Sequence, residues 1–183
     1  MPKIVAKVRK LCHLSAMAGN IRALVSTLLA AEKTIEGTPD WRAAGNGDEM
    51  RLLLPVFVDG RSTQATVEID AYPNAPVERF RIMLNLEKCI WRIDFNEYEQ
   101  HLNPIDTWSE ITPSSFREPH YHSWSDNQRY CTSSSLPKKL LIARPLPEKI
   151  RQFSSAFRWF CGEVKIAQPP SLMLSLPQRT KLL

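Results

Sequence analysis

Between residues 51 and 95 the chain carries four consecutive β-type runs separated by turn signals, and few folds accommodate that arrangement. A loop containing Gly45-Asn46-Gly47 leads into them. Arg51 to Val58 is largely apolar, Asp59-Gly60 is a hairpin turn signal, and Ser62 to Asp70 alternates. In that second run Ala65, Val67 and Ile69 share one face, while Thr66, Glu68 and Asp70 share the other. Pro73 and Pro76 bracket a stiff corner, after which Phe80, Ile82 and Leu84 alternate with Arg79, Arg81 and Met83. Glu87-Lys88 makes a tight connection to a fourth run, Cys89 to Phe95. The outcome expected is an antiparallel meander of about four to five strands.

Helical periods flank this core. Ile4, Val8 and Leu11 fall on one face of a helix over 3–15, with Lys3, Lys7 and Lys10 on a neighbouring face. Gly19-Asn20 breaks it, Ile21 to Lys33 reads as a second helix, and Gly37-Thr38-Pro39 closes the helical part. Near the other end Pro147 opens a C-terminal amphipathic helix with Ile150, Phe153, Phe157, Phe160, Cys161 and Val164 as its buried stripe. Arg151, Arg158 and Lys165 recur seven apart and are expected on its exposed face. Pro169-Pro170 ends the helix. The fold class is therefore α+β, with residues 1–168 as one domain and 169–183 as a partly ordered tail that folding does not need.

A hydrophobic content of 43% and a charged content of 23% in 183 residues are those of a chain with one sizeable core. Cys12, Cys89, Cys131 and Cys161 form no C-x-x-C pair, which argues against a zinc knuckle or thioredoxin-type motif. Arg9, His13, Asn20 and Arg22 interrupt every apolar stretch near the start, and no run approaches about 18 apolar residues. The expectation is a cytoplasmic protein with no membrane contact. Charge is unevenly spread: residues 1–33 hold six Lys/Arg against one acid, 34–135 nine against sixteen, and 136–183 nine against two. Basic ends around an acidic centre suit a nucleic-acid or acidic-protein partner, or else neutralise the sheet within the fold.

From Asn96 to Ser135 periodicity disappears, and long irregular segments tend to carry function. Three of the four histidines lie there: His101, His120 and His122. If Pro119 to Trp124 is extended, His120 and His122 project from one face, and His101 sits just past the fourth strand. Three imidazoles with an open fourth position form a catalytic zinc arrangement; without a metal, a histidine pair acts as general acid and base. Asp106, Glu118, Asp126 and Asn103 are the candidates to orient the rings from behind. The competing reading has the histidines bonded to loop backbone and purely structural. Trp108, Trp124 and Tyr130 stack on bases or pin the loop to the core.

The succession Cys89-Ile90-Trp91-Arg92-Ile93-Asp94-Phe95, His101-Leu102-Asn103-Pro104, Pro119-His120-Tyr121-His122 and Leu136-Pro137 resembles a family of small uncharacterised prokaryotic proteins. Members carry a strand ending in R-x-D, then H-x-N-P, then P-H-x-H. The similarity covers roughly residues 78–137. The family continues from H-x-N-P into Asp-Gly, where this chain has Ile105-Asp106-Thr107. It implies that the three histidines form a site and names no reaction. At the level of fold, Tyr72-Pro73-Asn74-Ala75-Pro76 before a strand and His101-Leu102-Asn103 after one are similar to ubiquitin-conjugating enzymes. That family has Pro where Leu102 stands, and its nucleophile has no counterpart here nearer than Cys131.

Two functions follow as expectations. One is a histidine-centred hydrolase of a phosphodiester or nucleic acid, with His101, His120 and His122 as metal ligands or acid–base groups and zinc as the metal. The other is a non-catalytic module binding nucleic acid or protein through Arg151, Arg158, Lys165 and Trp124. A prophage, toxin–antitoxin or phage-defence setting suits the size and type of such a domain.

Overall fold

Asp59 and Gly60 both lie in the left-handed region, at φ 51° and 69°. A two-residue hairpin between right-twisted strands needs that geometry. They join β3 (Glu49–Val58) to β4 (Arg61–Ala71), and Glu87, at φ 61°, turns β5 (Phe80–Leu86) into β6 (Lys88–Phe95). These four strands pair antiparallel in chain order, as their alternation predicts. The computed structural model describes residues 20–45, 48–111, 113–132, 134–167 and 174–178. The helix expected over 3–15 lies outside them.

The sheet is wider than local pattern foretells, with nine strands among the described residues. On one side β1 (Lys33–Ile35) and β2 (Arg42–Ala44) both pair with β3, and β11 (Ile166–Ala167) joins β1 in parallel. On the other side β9 (His120–His122) pairs with β6, and β10 (Arg144–Pro145) with β9. These additions are two or three residues long, too short to show a period of two in sequence.

One sheet face is apolar. Leu52, Leu54, Val67, Ile69, Ile82 and Ile93 are buried there beneath helices α1 (Ile21–Ala30) and α3 (Phe153–Glu163). Asn20 caps α1, its side chain accepting from the Arg22 amide at 3.1 Å. The α3 stripe is buried as its spacing predicts, from Ile150 and Phe153 through Val164. Phe153 meets Phe80 edge-on and Phe160 meets Trp91. The helix starts at Phe153 rather than Pro147, because Gln152 and Ser155 form a capping box there. A third helix, α2 (Trp124–Asn127), is a single turn. Leu174 and Leu176, in the segment expected to be a dispensable tail, pack against the core. Among the described residues no helix is long and apolar enough to cross a membrane.

α1 stops at Ala30, three residues before the expected end, and Lys33 explains why. Its ammonium is buried and donates to the carbonyls of Leu28 and Ala31 at 2.7 and 2.6 Å. The side chain thus caps the helix it was expected to extend. Burial lowers its pKa to about 8, so it still carries its proton at neutral pH. Lys33→Ala leaves those carbonyls without a donor and is expected to destabilise the fold by about 1–3 kcal/mol in urea titration. An unchanged midpoint would show that the cap contributes nothing.

Candidate metal centre

Strand alternation places the first two histidines. Tyr121 turns to the core side and stacks on Trp91 at 5.7 Å, so His120 and His122 face the opposite side. Pairing with β6 sets Asp94 opposite His120 and Arg92 opposite His122. His101 arrives on a separate two-stranded ribbon, β7 (His101–Leu102) with β8 (Ser115–Phe116), where it faces Phe116. The Phe116 ring lies 5.4 Å from His101 and 5.3 Å from His120, an apolar wedge against both. The imidazole centroids end 5.0, 5.1 and 5.3 Å apart, and one nitrogen from each ring lies within 4.8 Å of the others.

Hydrogen-bond partners place the protons. His120 Nδ1 lies 3.1 Å from the Glu118 carbonyl, which can only accept, so Nε2 keeps its lone pair. His101 Nε2 lies 3.1 Å from both Asn103 Oδ1 and the Leu141 carbonyl, so there Nδ1 keeps the lone pair. Asn103 is itself fixed: Oδ1 accepts from the Ala143 amide at 2.8 Å while Nδ2 donates to the Ala143 carbonyl at 3.0 Å. His122 is different. Its Nε2 stands 2.8 Å from Arg92 Nη2 and 3.2 Å from Asp94 Oδ2, and its fully buried Nδ1 has no partner. The Arg92 guanidinium can only donate and the Asp94 carboxylate can only accept, so Nε2 serves one of them and not both, whichever nitrogen carries the proton. Neutral, each of the three rings has one lone pair to offer.

Electrostatics favours that state. Burial lowers the pKa of all three histidines, and that of His122 to about 3, so the rings are neutral as metal ligation requires. Burial alone would raise Asp94; the His122 hydrogen bond and the Arg92 and Arg81 charges outweigh it and hold the carboxyl well below the usual range. Arg81 Nε donates to Oδ1 at 2.6 Å. Arg92 Nε lies 2.6 Å from Oδ2 with its N–H turned off the oxygen, an ion pair without a directed bond. Nitrogens about 3.3 Å apart suit a tetrahedral zinc ion, so the three rings would have to draw together by up to about 1.5 Å to hold one. Beside the cluster a cleft of about 360 Å³ is bordered by Arg92, His101, Asn103 and Lys139.

The other expected site residues fall elsewhere. Asp106 is exposed on a short 3-10 turn (Ile105–Thr107). Glu118 contributes its carbonyl rather than its exposed carboxylate. Asp126 is taken by Arg144, with two contacts of 2.9 Å, and by Ser123 at 2.8 Å. Of the four candidates to orient the rings, Asn103 touches one with its side chain. Trp124 is 4% exposed and belongs to the core, so it cannot stack on a base in place. Arg158 is exposed on α3, but Arg151 precedes that helix and Lys165 follows it at φ 54°, so the three do not share a helical face. The carboxylate at the centre is Asp94, whose signal lay in the Arg92-Ile93-Asp94 alternation. In a strand that spacing puts both side chains on the face to which His120 and His122 also point.

Fold and site together define an α+β domain with a mostly antiparallel sheet and a buried three-histidine cluster able to hold a metal ion. Comparison with protein-family models, curated proteins and solved structures gives no match.

The lowered pKa values dictate an acid dependence. An unfolded histidine titrates near about 6.5, whereas folded His122 does so at about 3. Stability from its neutral burial is complete above about pH 6.5 and drains as pH falls toward the folded value, with His101 and His120 acting in the same direction. Metal-free protein is expected to lose several degrees of melting temperature between pH 7 and 4.5. His122→Gln should show a shallower slope, and equal slopes would mean the ring protonates freely in the fold.

Proposed function

We propose that this domain is a metal-dependent hydrolase of phosphodiesters or nucleic acid, with His101, His120 and His122 holding a zinc ion. The observation that carries the reading is the convergence of three neutral imidazoles, with one nitrogen from each within 4.8 Å of the others. Zinc with three imidazoles supplies Lewis acidity and a water activated near neutral pH.

The chain's own residues supply the rest. The Glu118 carbonyl and Asn103 orient His120 and His101 and fix their tautomers, while Arg92 and Asp94 together hold the His122 ring in place. Arg92 lies between this cluster and the cleft, where a guanidinium stabilises charge on a phosphoryl oxygen. Asp94 is held ionised by Arg81 and His122 across the sheet and by Arg92 on its own strand, and so serves as an anchor rather than a proton carrier. Imidazole ligands with no cysteine among them favour zinc over softer ions.

Purified protein reconstituted with zinc is expected to retain about one ion per chain by mass spectrometry. It should also hydrolyse bis(p-nitrophenyl) phosphate at a rate abolished by chelation and restored by zinc. His101→Ala, at the exposed side of the cluster, should lose at least tenfold in rate while keeping its circular dichroism spectrum. Absence of bound zinc from the wild-type chain would remove the metal, and with it the reading.

A further inference from the structure

The cleft beside the histidines has a chemistry of its own. Arg92 uses Nη2 on His122 and sets Nε against Asp94, which leaves Nη1 without a protein acceptor among the described residues. Its side chain is 23% exposed and forms part of the cleft wall. Lys139, also in the wall, is exposed, and no carboxylate lines the space. An unpaired ammonium and a guanidinium with one free Nη1 edge, in one concavity that no carboxylate lines, favour an anion with more than one negative oxygen.

The remainder of the wall is apolar and open. Leu102 is 59% exposed, Ile105 77% and Leu141 42%, and these are three of only seven large hydrophobic side chains exposed among the described residues. Their gathering around one cleft is the signature of a binding surface rather than of scattered surface apolarity. The volume of about 360 Å³ sits at the lower end of the range for small-ligand sites, roughly 300–1,000 Å³. It admits one compact organic group and not a length of polymer.

We propose that this cleft is a subsite for a phosphate ester the size of one nucleotide, with Arg92 and Lys139 taking the phosphate and Leu102, Ile105 and Leu141 taking the organic part. The assignment rests on the hydrolase reading for its purpose, since it delivers the ester beside His101, but not for its binding energy. The substrate class of the metal centre is thereby narrowed to the terminal phosphodiester of a chain, with the mononucleotide as the product it releases, not the interior of a duplex. Phosphate contributes through charge-assisted hydrogen bonds, and a nucleobase contributes by covering apolar side chains that water now wets.

Calorimetry on the zinc-loaded chain tests it with four probes: inorganic phosphate, an uncharged nucleoside, the matching nucleoside monophosphate and a single-stranded oligonucleotide series of increasing length. The monophosphate is expected to bind at least tenfold tighter than either half, with oligonucleotide affinity independent of length. Equal binding of phosphate and monophosphate would overturn the apolar half of the subsite, and affinity rising with length would replace it by an extended surface. Two surface variants separate the halves further. Lys139→Ser should weaken phosphate and monophosphate alike by about tenfold, while the Ile105→Ser and Leu141→Ser double variant weakens only the monophosphate. If neither variant changes binding, the ligand lies elsewhere and the proposal fails. Both leave the histidines untouched, so zinc content should be unchanged. Monophosphate binding with no hydrolysis of the oligonucleotides would overturn the hydrolase reading and leave the subsite standing.

Discussion

Asp94 is the charge on which the polar face of the sheet is organised. Registered pairing sets Arg51, Asp70, Arg81, Asp94 and His120 side by side across five neighbouring strands, with the sign of charge alternating as far as Asp94. Contacts along the row measure 2.7, 4.0, 2.6 and 3.6 Å. A carboxylate this deeply buried must be fully compensated, because an unpaired one costs several kcal/mol. Arg81 and Arg92 supply the compensation, and the His122 ring stands 3.2 Å from Oδ2. The sheet therefore closes on its apolar side by burial and on its polar side by a row of matched charges that ends at the imidazoles.

How much of this was visible beforehand depends on the range of the interaction. Asp59-Gly60, the alternation of Ala65, Val67 and Ile69, and the Phe153-Phe157-Phe160 stripe all report local geometry, and each is realised. His120 and His122 share a face because period two is local as well. The partner of that face was not legible. β9 meets β6 across 28 residues from Asp94 to His122, and nothing near either strand announces the pairing. Acidic residues close in sequence to the histidines thus appeared to be their natural partners, while the carboxylate that reaches them comes from the preceding strand. Asp126 shows the converse, with an arginine 18 positions later claiming it. Lys33 and Trp124 failed as a helix residue and a surface aromatic for the same reason: tertiary burial overrode their local prospects.

The irregular stretch after β6 is held by side chains that stand in for backbone. Asn103 bonds both the amide and the carbonyl of Ala143, and Asn127 does the same for Ile142 at 2.8 Å each. Two buried amides thereby act as rungs where no strand is available, and each fully satisfies a chain segment that would otherwise carry orphaned polar groups. The same segment supplies the Leu141 carbonyl to His101 and the wall of the cleft. Rigidity at the ring and shape at the cleft come from one device.

The outermost strands carry a further consequence. β10 is two residues long and ends in Pro145, which has no amide hydrogen to offer a newcomer; its Arg144 is tied to Asp126. At the far side β11 is equally short, and the chain enters it through Lys165 in the left-handed conformation. A broad sheet normally invites another chain to zip onto its rim and begin a fibre. Among the described residues the outermost strands of the nine-stranded sheet are two or three residues long, which leaves a tenth strand little rim to pair with.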